Sequence, residues 1–431
     1  MTTDVRDEKY HIFNIRLAKF TGLYQMLDPR TTKCLGRNVY HIALALILMY
    51  LCAVSLMSTV SCLYYWTDNM SICLEDLWKV ETALFIIYKM WIVIHHSNDI
   101  WNCLSITWYG FTSFGFRERH ILDRWRKRSM RFSALFAITY LICLAIFAGC
   151  TQAFRNKITP VKNRDGSVGY YRQNIMNFYI IVSDETYNAY YNTFCFAEAL
   201  FTVSLAMLFL IFDILLVTLC FAICGQMQII NATFESVGHK SIRDSHSPID
   251  NTVIKNKKIT DKHDLTYDDL KTIIMDHQKI MKKYEDFLAL FGKAMLVQIF
   301  VSSLSLILIW FIFIMILSGE DRFVASEITT IKMVSLIPSF SFQIFMVCYL
   351  FGSLHNQKDS IIFALYCSNW TEMDMKCKKM ILFIMKMNNA NYKKLKFTST
   401  KIINLEMFFK TMGNCYTVIS VLINQIKTRS E

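Results

Sequence analysis

The chain has 431 residues, of which 54% are hydrophobic, 14% aromatic and only 19% charged. A soluble domain carries about 25% charged residues, and with 13 Gly and four Pro the chain is too poor in loop formers to be disordered or fibrous. The net charge of +12 would suit nucleic acid, but in so apolar a chain it is first a topology signal, because Lys and Arg gather on the cytoplasmic side of membranes.

In chain order, residues 1–40 carry seven basic residues and no apolar core, so no cleavable signal peptide is expected and the segment reads as cytosolic. A helix crossing hydrocarbon needs roughly 20 mostly apolar residues. His41 to Trp66, Phe132 to Phe154, Ala294 to Leu317 and Met333 to Phe351 meet this easily. Trp78 to His96 is weaker because it holds Glu81 and Lys89. The run from Asn192 to Cys224 is longer than one span and carries Glu198 and Asp213. Within the loop division 231–276, the segment from Val237 to Asp269 is polar, with Ser245-His246-Ser247-Pro248 and Lys255-Asn256-Lys257-Lys258, and reads as a flexible cytosolic loop. From Leu270, apolar residues Ile273, Ile274, Ile280, Met281 and Tyr284 recur at helical spacing and lead into the fifth span. Met380 to Met387 makes a short apolar helix that ends at the turn-forming Asn388-Asn389-Ala390-Asn391. Ile402 to Ile426, with Glu406 and Lys410, is the last and weakest span.

The expected fold is therefore an all-α polytopic membrane protein with seven transmembrane helices and a cytosolic helical anchor region. Its divisions are 1–40, a cytosolic segment; 41–230, helices one to four with a ligand pocket; 231–276, the loop; 277–401, helices five and six with the anchor; and 402–431, the last helix and tail. With the N-terminus inside, about 33 of the 46 basic residues fall on the inner segments and about 8 on the outer ones. That bias predicts a cytosolic N-terminus and an extracellular C-terminus. Asn69-Met70-Ser71 is a glycosylation sequon on an outer loop in this arrangement.

Catalytic signatures are absent: no GxSxG, Walker A or HExxH occurs, and the adjacent His95 and His96 lack the further ligands of a metal centre. No enzyme, cofactor or metal is expected. The 14 Cys lie mostly in apolar runs and read as small hydrophobes. Glu198 and Asp213, roughly four turns apart, read as polar anchors between helices, with a proton relay as the rarer use. Three outer faces have the mixed lining of an apolar small-molecule pocket. They are Thr82, Phe85 and Ile86; Ile146, Gly149, Cys150 and Ala153; and Tyr191, Phe194, Cys195 and Glu198. Lys332 and Ser335 complete the pocket candidates. On the last span Thr417, Val421 and Asn424 share one stripe beside Gln425, a pattern that suits a gate opening by wetting. Ordinary helix packing explains any one of these faces equally well.

The C-terminal third resembles the insect odorant receptors. The resemblance is carried by Gln343, Cys348, Tyr349 and Gly352 in QIFMVCYLFG, by Ser360, Ala364, Tyr366, Ser368, Asn369 and Trp370 in KDSIIFALYCSNW, by the MILFIMKM helix and by the closing LEMFFKTMGNCYTVISVL. Upstream, Asp213, the run from Ile223 to Met227, and His277-Gln278 are similar to the family's fourth and fifth helices. The resemblance implies an odorant-gated non-selective cation channel of four subunits in the plasma membrane of a sensory neuron. It implies a pore gate at Val421 with Asn424 and Gln425 at the mouth, and a central anchor including Gln226, His277, Tyr366 and Trp370. Asn424-Gln425 departs from the coreceptor pattern and the loop after the fourth helix is short, which implies an odorant-specific tuning subunit partnered by the coreceptor, a volatile ligand and membrane lipid, with no nucleic acid. Alternatives are a gustatory-type receptor of the same superfamily and a G-protein-coupled receptor. The second would put the N-terminus outside and lacks its Asp-Arg-Tyr and Asn-Pro-x-x-Tyr motifs here.

Overall fold

A computed structural model of the chain describes residues 9–34, 36–67, 69–163, 165–178, 182–238, 261–318, 327–390, 396 and 402–430. Short helices α1 (Ile15–Phe20) and α2 (Leu23–Leu27) and a two-stranded turn, β1 (Lys33–Cys34) with β2 (Arg37–Asn38), precede the bundle. The Asn38 side chain accepts the backbone N–H of Tyr40 and so caps α3 (Val39–Tyr65). Then follow α4 (Met70–His95), α5 (Ser97–Leu104), α6 (Arg119–Ala153), the hairpin β3 (Ile158–Lys162) and β4 (Val168–Arg172), α7 (Asp184–Ala189), α8 (Tyr191–Ser236), α9 (Asp261–Ser318), α10 (Glu327–Cys367), α11 (Met375–Ala390) and α12 (Leu405–Ser430).

Each of the seven expected spans appears as a helix. By length and composition five can cross a membrane: α3, α6, α8, α9 and α10. The other two, α4 and α12, are long but carry charges, and α4 buries Glu75, Asp76, Lys79 and Lys89 inside the bundle. In α8 the most apolar stretch is 89% buried, against 22% in α3. A helix apolar on all sides must be covered on all sides, and α8 is enclosed by α4, α6, α9 and α10. The large apolar residues left outside, such as Leu56 and Leu63 on α3, Leu141 on α6 and Phe300 on α9, form a surface that suits hydrocarbon rather than water.

Three expectations need correction. The chain is not wholly helical: β3 and β4 pair antiparallel from Ile158 opposite Arg172 to Lys162 opposite Val168. Their inward residues Val161 and Tyr171 pack with Tyr65, Ile72, Tyr187 and Tyr191. The turn needs Gly166 at φ +84°, a conformation open to glycine. The loop set at 231–276 is narrower, because α8 continues to Ser236 and α9 has begun by Asp261. Asn231 holds the end of α8 to α10 by donating to Ser360 Oγ at 2.6 Å. The polar Ser245–Pro248 and Lys255–Lys258 stretches lie outside the described residues. Finally, the short helix around Met380–Met387 is longer at both ends, Met375–Ala390.

Mid-bundle, one polar network ties five helices together. Lys89 Nζ of α4 pairs with Asp213 Oδ1 of α8 at 3.0 Å, and neither side chain is exposed by more than 2%. Tyr140 OH of α6 donates to Asp213 Oδ2 at 3.0 Å. Gln343 Nε2 of α10 donates to Tyr140 OH, and Ser302 Oγ of α9 donates to Gln343 Oε1 at 3.1 Å. The Lys89 ammonium also lies 4.6 to 4.8 Å from the ring centres of Phe85, Phe209 and Phe212. Removing one partner of a buried pair strands the other charge, which costs about 3–5 kcal/mol, whereas replacing both by apolar groups is often neutral. Lys89→Met is therefore expected to lower the thermal stability of the detergent-solubilised protein by that order. The double variant Lys89→Met/Asp213→Leu should recover most of it in the same melting assay.

Candidate functional site

Above this network, towards the β3–β4 hairpin, α4, α6, α8 and α10 diverge around a cavity of about 80 Å³. Each helix contributes residues at helical spacing. From α8 come Thr202, Leu205, Ala206 and Phe209; from α10 come Leu336, Ser339, Phe340 and Gln343; from α6 come Tyr140, Cys143, Leu144 and Phe147; from α4 come Trp78 and Thr82. The hydroxyls of Thr82 and Thr202 donate to the carbonyls of Trp78 and Glu198, four residues back, each at 2.7 Å, so they present methyl groups rather than unmet hydroxyls. Trp78 Nε1–H has no hydrogen-bond partner among the described residues. Tyr140 and Gln343 belong to both the cavity and the network below. A dry cavity of about 150 Å³ holds benzene, so a larger ligand must enlarge this one by moving side chains.

Met176 closes the cavity on the hairpin side. It belongs to the irregular segment 173–178, which buries its backbone against the helix ends. Buried backbone outside regular structure needs side-chain partners, and three helices supply them. Glu198 of α8 accepts the N–H groups of Met176, Asn177 and Phe178 at 2.7, 3.0 and 3.1 Å. Lys332 of α10 donates to the carbonyls of Asn174 and Ile175 at 2.5 and 3.0 Å. Lys79 of α4, paired with Asp76 at 3.0 Å, lies 5.0 Å from the ring centre of Phe178. Asn177 takes φ +52°, where asparagine is favoured among non-glycine residues. The segment is a strap held across the bundle by buried charges.

Of the sequence candidates, Thr82 lines the first cavity. Phe85 and Ile86 are buried one turn below it, and Phe85 meets Phe209 and Lys89. The α6 face named from the sequence lies about a third of a helical turn from the one that faces the bundle. Cys143, Phe147 and Thr151 face inwards, while Gly149 and Ala153 are exposed and Ile146 and Cys150 half-buried. A Cβ added at Gly149 would meet nothing within 4 Å. The small residues that suggested a helix crossing therefore lie on an open face. Tyr191 packs under the hairpin, and Cys195 is half-buried beside it. Phe194 and Glu198 border a second cavity between α3, α4 and α8. Lys332 holds the strap rather than the cavity, and Ser335 accepts the Cys143 thiol through its carbonyl at 3.4 Å. The residues missed on α8 and α10 were visible as i, i+3, i+4, i+7 rows, but such rows occur on every face of an apolar helix.

Asn69, the sequon asparagine, lies under the hairpin. It is 1% exposed, and its Nδ2, the atom a sugar would take, donates to the Lys162 carbonyl beneath the hairpin. On α12, Thr417, Val421 and Asn424 all lie exposed along one face, while Cys415 and Ile419 turn towards the bundle. The Gln425 side chain lies outside the described residues.

At the opposite end of the bundle, Gln226 is fully buried. Its Nε2 donates to the carbonyls of Ile106 and Trp108, and its Oε1 accepts from Thr112 at 2.9 Å. Trp370 packs half-buried against the core, while Tyr366 is 66% exposed. His277 of α9 is buried edge-on to Phe234. Its Nε2 has no hydrogen-bond partner among the described residues. Burial, and then the nearby Lys358 ammonium, push its imidazole down to about 4.

The sequence family described as "7tm Odorant receptor" matches residues 69–416. No curated protein sequence matches the chain. Solved structures that share the fold include two of an insect olfactory receptor. The insect olfactory receptor OR5 from Machilis hrabei is 13% identical with a TM-score of 0.67, over 95% of this chain and 97% of that one. The same receptor in complex with eugenol is 13% identical with a TM-score of 0.70, over 95% and 98%.

Two outcomes check these placements. N-glycosidase treatment is expected to leave electrophoretic mobility unchanged; a shift abolished by Asn69→Gln would reverse the assignment of Asn69. His277 is held neutral in the folded chain while the unfolded imidazole titrates near 6.5. The unfolded state therefore binds the extra proton first. The stability from burying neutral His277 is complete above pH 6.5 and falls as pH drops towards 4, by ~3 kcal/mol in all. Melting temperature against pH should show this slope in the parent protein and a flatter one in His277→Leu.

Proposed function

This chain belongs to the odorant receptor family, and on that premise we propose that it is the odorant-binding subunit of a ligand-gated, non-selective cation channel in the plasma membrane of a sensory neuron. The observation that carries the reading is the apolar cavity between α4, α6, α8 and α10, in a fold shared with a receptor solved in complex with eugenol. The ligand is a volatile with an apolar body and one hydrogen-bond acceptor, matched to Trp78 Nε1–H. The family match favours this over the gustatory and G-protein-coupled readings.

All seven long helices span the bilayer, with the N-terminus cytosolic and the hairpin end outside. The support is the charge sorting: about 33 of 46 basic residues fall on segments that this orientation puts in the cytosol. At about 80 Å³ the cavity is smaller than an odorant. A state with a wider cavity binds the ligand more tightly, and that differential affinity shifts the population towards it. The exposed face of α12 with Thr417, Val421 and Asn424 lines a pore shared by four subunits. Val421 is the hydrophobic gate and Gln425 flanks the mouth. Exposed Tyr366 belongs to contacts between subunits at the cytosolic anchor. The chain acts as the tuning subunit beside the coreceptor.

Voltage-clamp recording with and without the coreceptor tests the reading, and absence of odorant-evoked cation current in every combination would overturn it. Ala206→Phe fills the cavity and is expected to raise the half-maximal odorant concentration about tenfold or more, equivalent to about 1.4 kcal/mol. Gly149→Leu, on the open face of α6, should leave it unchanged. Val421→Ala should raise basal leak or alter ion preference. An N-terminal tag accessible from outside intact cells would sink the topology.

A further inference from the structure

The strap has a second side. Between α3, α4 and α8 lies another cavity of about 230 Å³, walled by Tyr50, Ser58, Asp76, Phe178, Phe194 and Glu198. It exceeds the roughly 150 Å³ that holds benzene, so a small ligand fits without rearrangement. Its origin is the packing of α3, which lies along α4 and touches α8 at few places. Met57, at the rim, is 43% exposed on the apolar outer surface of α3. Access is therefore sideways from the bilayer.

Two atoms of the wall have unfinished chemistry. Asp76 is 1% exposed and Ser58 3% exposed, yet Asp76 Oδ2 and Ser58 Oγ have no hydrogen-bond partner among the described residues. The polar groups around them are already engaged. Asp76 Oδ1 accepts from Lys79 Nζ at 3.0 Å, Tyr50 OH donates to the Ala197 carbonyl at 2.6 Å, and Glu198 is filled by the strap N–H groups and by Tyr187 OH. A carboxylate oxygen only accepts, whereas a serine hydroxyl both donates and accepts. An ammonium would answer Asp76 but leave the Ser58 proton without an acceptor. A hydroxyl answers both, donating to Asp76 Oδ2 and accepting from Ser58. The rest of the wall is mainly apolar, Val54, Met57, Phe178, Phe194 and Ala197, with Ser61 and Thr193 the further hydroxyl side chains.

We propose that this cavity is a second ligand site, which takes a lipophilic alcohol or phenol from the membrane with its hydroxyl on Asp76 and Ser58. The site is coupled to the first cavity by their common wall. Met176 closes one cavity and Phe178 the other, two residues apart on the strap, and Glu198 holds both by their N–H groups. That coupling rests on reading the first cavity as the odorant site; the binding itself does not.

The test is photolabelling of the full-length protein in lipid nanodiscs, read by mass spectrometry, so it is independent of any current. The probe is an eight-carbon alcohol carrying a diazirine. Adducts are expected on residues 50–58 and 193–198, displaced by 1-octanol and not by methyl octyl ether. Ser58→Phe should abolish them while adducts on the lipid face of α6, at Leu141 and Ile142, persist. Val54→Phe narrows the cavity from the same helix and serves if Ser58→Phe fails to fold. Labelling of 50–58 no stronger than that of Leu141 and Ile142 overturns the site. Equal displacement by the ether overturns the hydroxyl assignment, leaving a non-selective apolar recess. Loss of current without loss of labelling would count against the channel reading alone.

Discussion

The ion pair between Lys89 and Asp213 is the constraint around which the bundle is arranged. Two charges taken out of water must find both each other and enough further hydrogen bonds to offset their desolvation. Here the carboxylate also accepts Tyr140, the ammonium lies among three phenyl rings, and Gln343 and Ser302 extend the network to α10 and α9. Apolar surfaces in lipid slide past one another with little preference, since tails and side chains are equally apolar. A directional polar network does not slide. It sets the register of five helices at one level, and the first cavity opens directly above it.

The hairpin end follows the same logic with backbone in place of side chains. The strap from residue 173 to 178 makes no regular structure, yet it lies buried, so its N–H and C=O groups must be met by Glu198, Lys332 and the Lys79–Asp76 pair. This explains the weak hydropathy of α4. Its charges are not lining water; Lys79 and Asp76 serve the strap, and Lys89 serves the network. Between these two polar layers the walls are apolar, and the threonines in them turn their hydroxyls back onto their own helices. Polar above, polar below and apolar between is an arrangement that admits a hydrophobic guest while keeping the helices in place around it.

The sequence made the long helices legible because each is a separate run of apolar residues bounded by charge. Helix faces were harder. On α6 the choice of Ile146, Gly149, Cys150 and Ala153 followed small residues, but in a membrane protein both the lipid-facing and the protein-facing sides are apolar, so periodicity carries little phase information. The inward face of Cys143 and Phe147 is defined by contacts with Ser335 and Lys332 of α10, nearly two hundred residues away. The β3–β4 hairpin was missed because its strands are short and include Pro160, which argues against a central strand but suits a two-stranded ribbon. Asn69 matched a sequon, and only the folded hairpin shows its amide to be covered. Glu198 was legible as a polar anchor, though the irregular strap it anchors was not.

The last helix differs in kind from the first. Both leave one side uncovered, but α3 exposes Leu46, Met49, Leu56 and Leu63, a uniform lipid face, whereas α12 exposes Thr417 and Asn424 among Phe409, Tyr416 and Val421. A mixed face suits protein and water better than hydrocarbon, which supports the proposal that α12 contributes to a shared pore. The first cavity is linked to that helix by α10. Leu336 to Gln343 form one wall of the cavity, and Phe345, two residues further on, packs edge-on against Phe408 of α12 at 5.6 Å. Phe342 packs on Phe136 of α6 at 4.8 Å. On the proposed reading, a guest that shifts the α10 wall of the cavity would bear on α12 through the ring contact of Phe345 with Phe408.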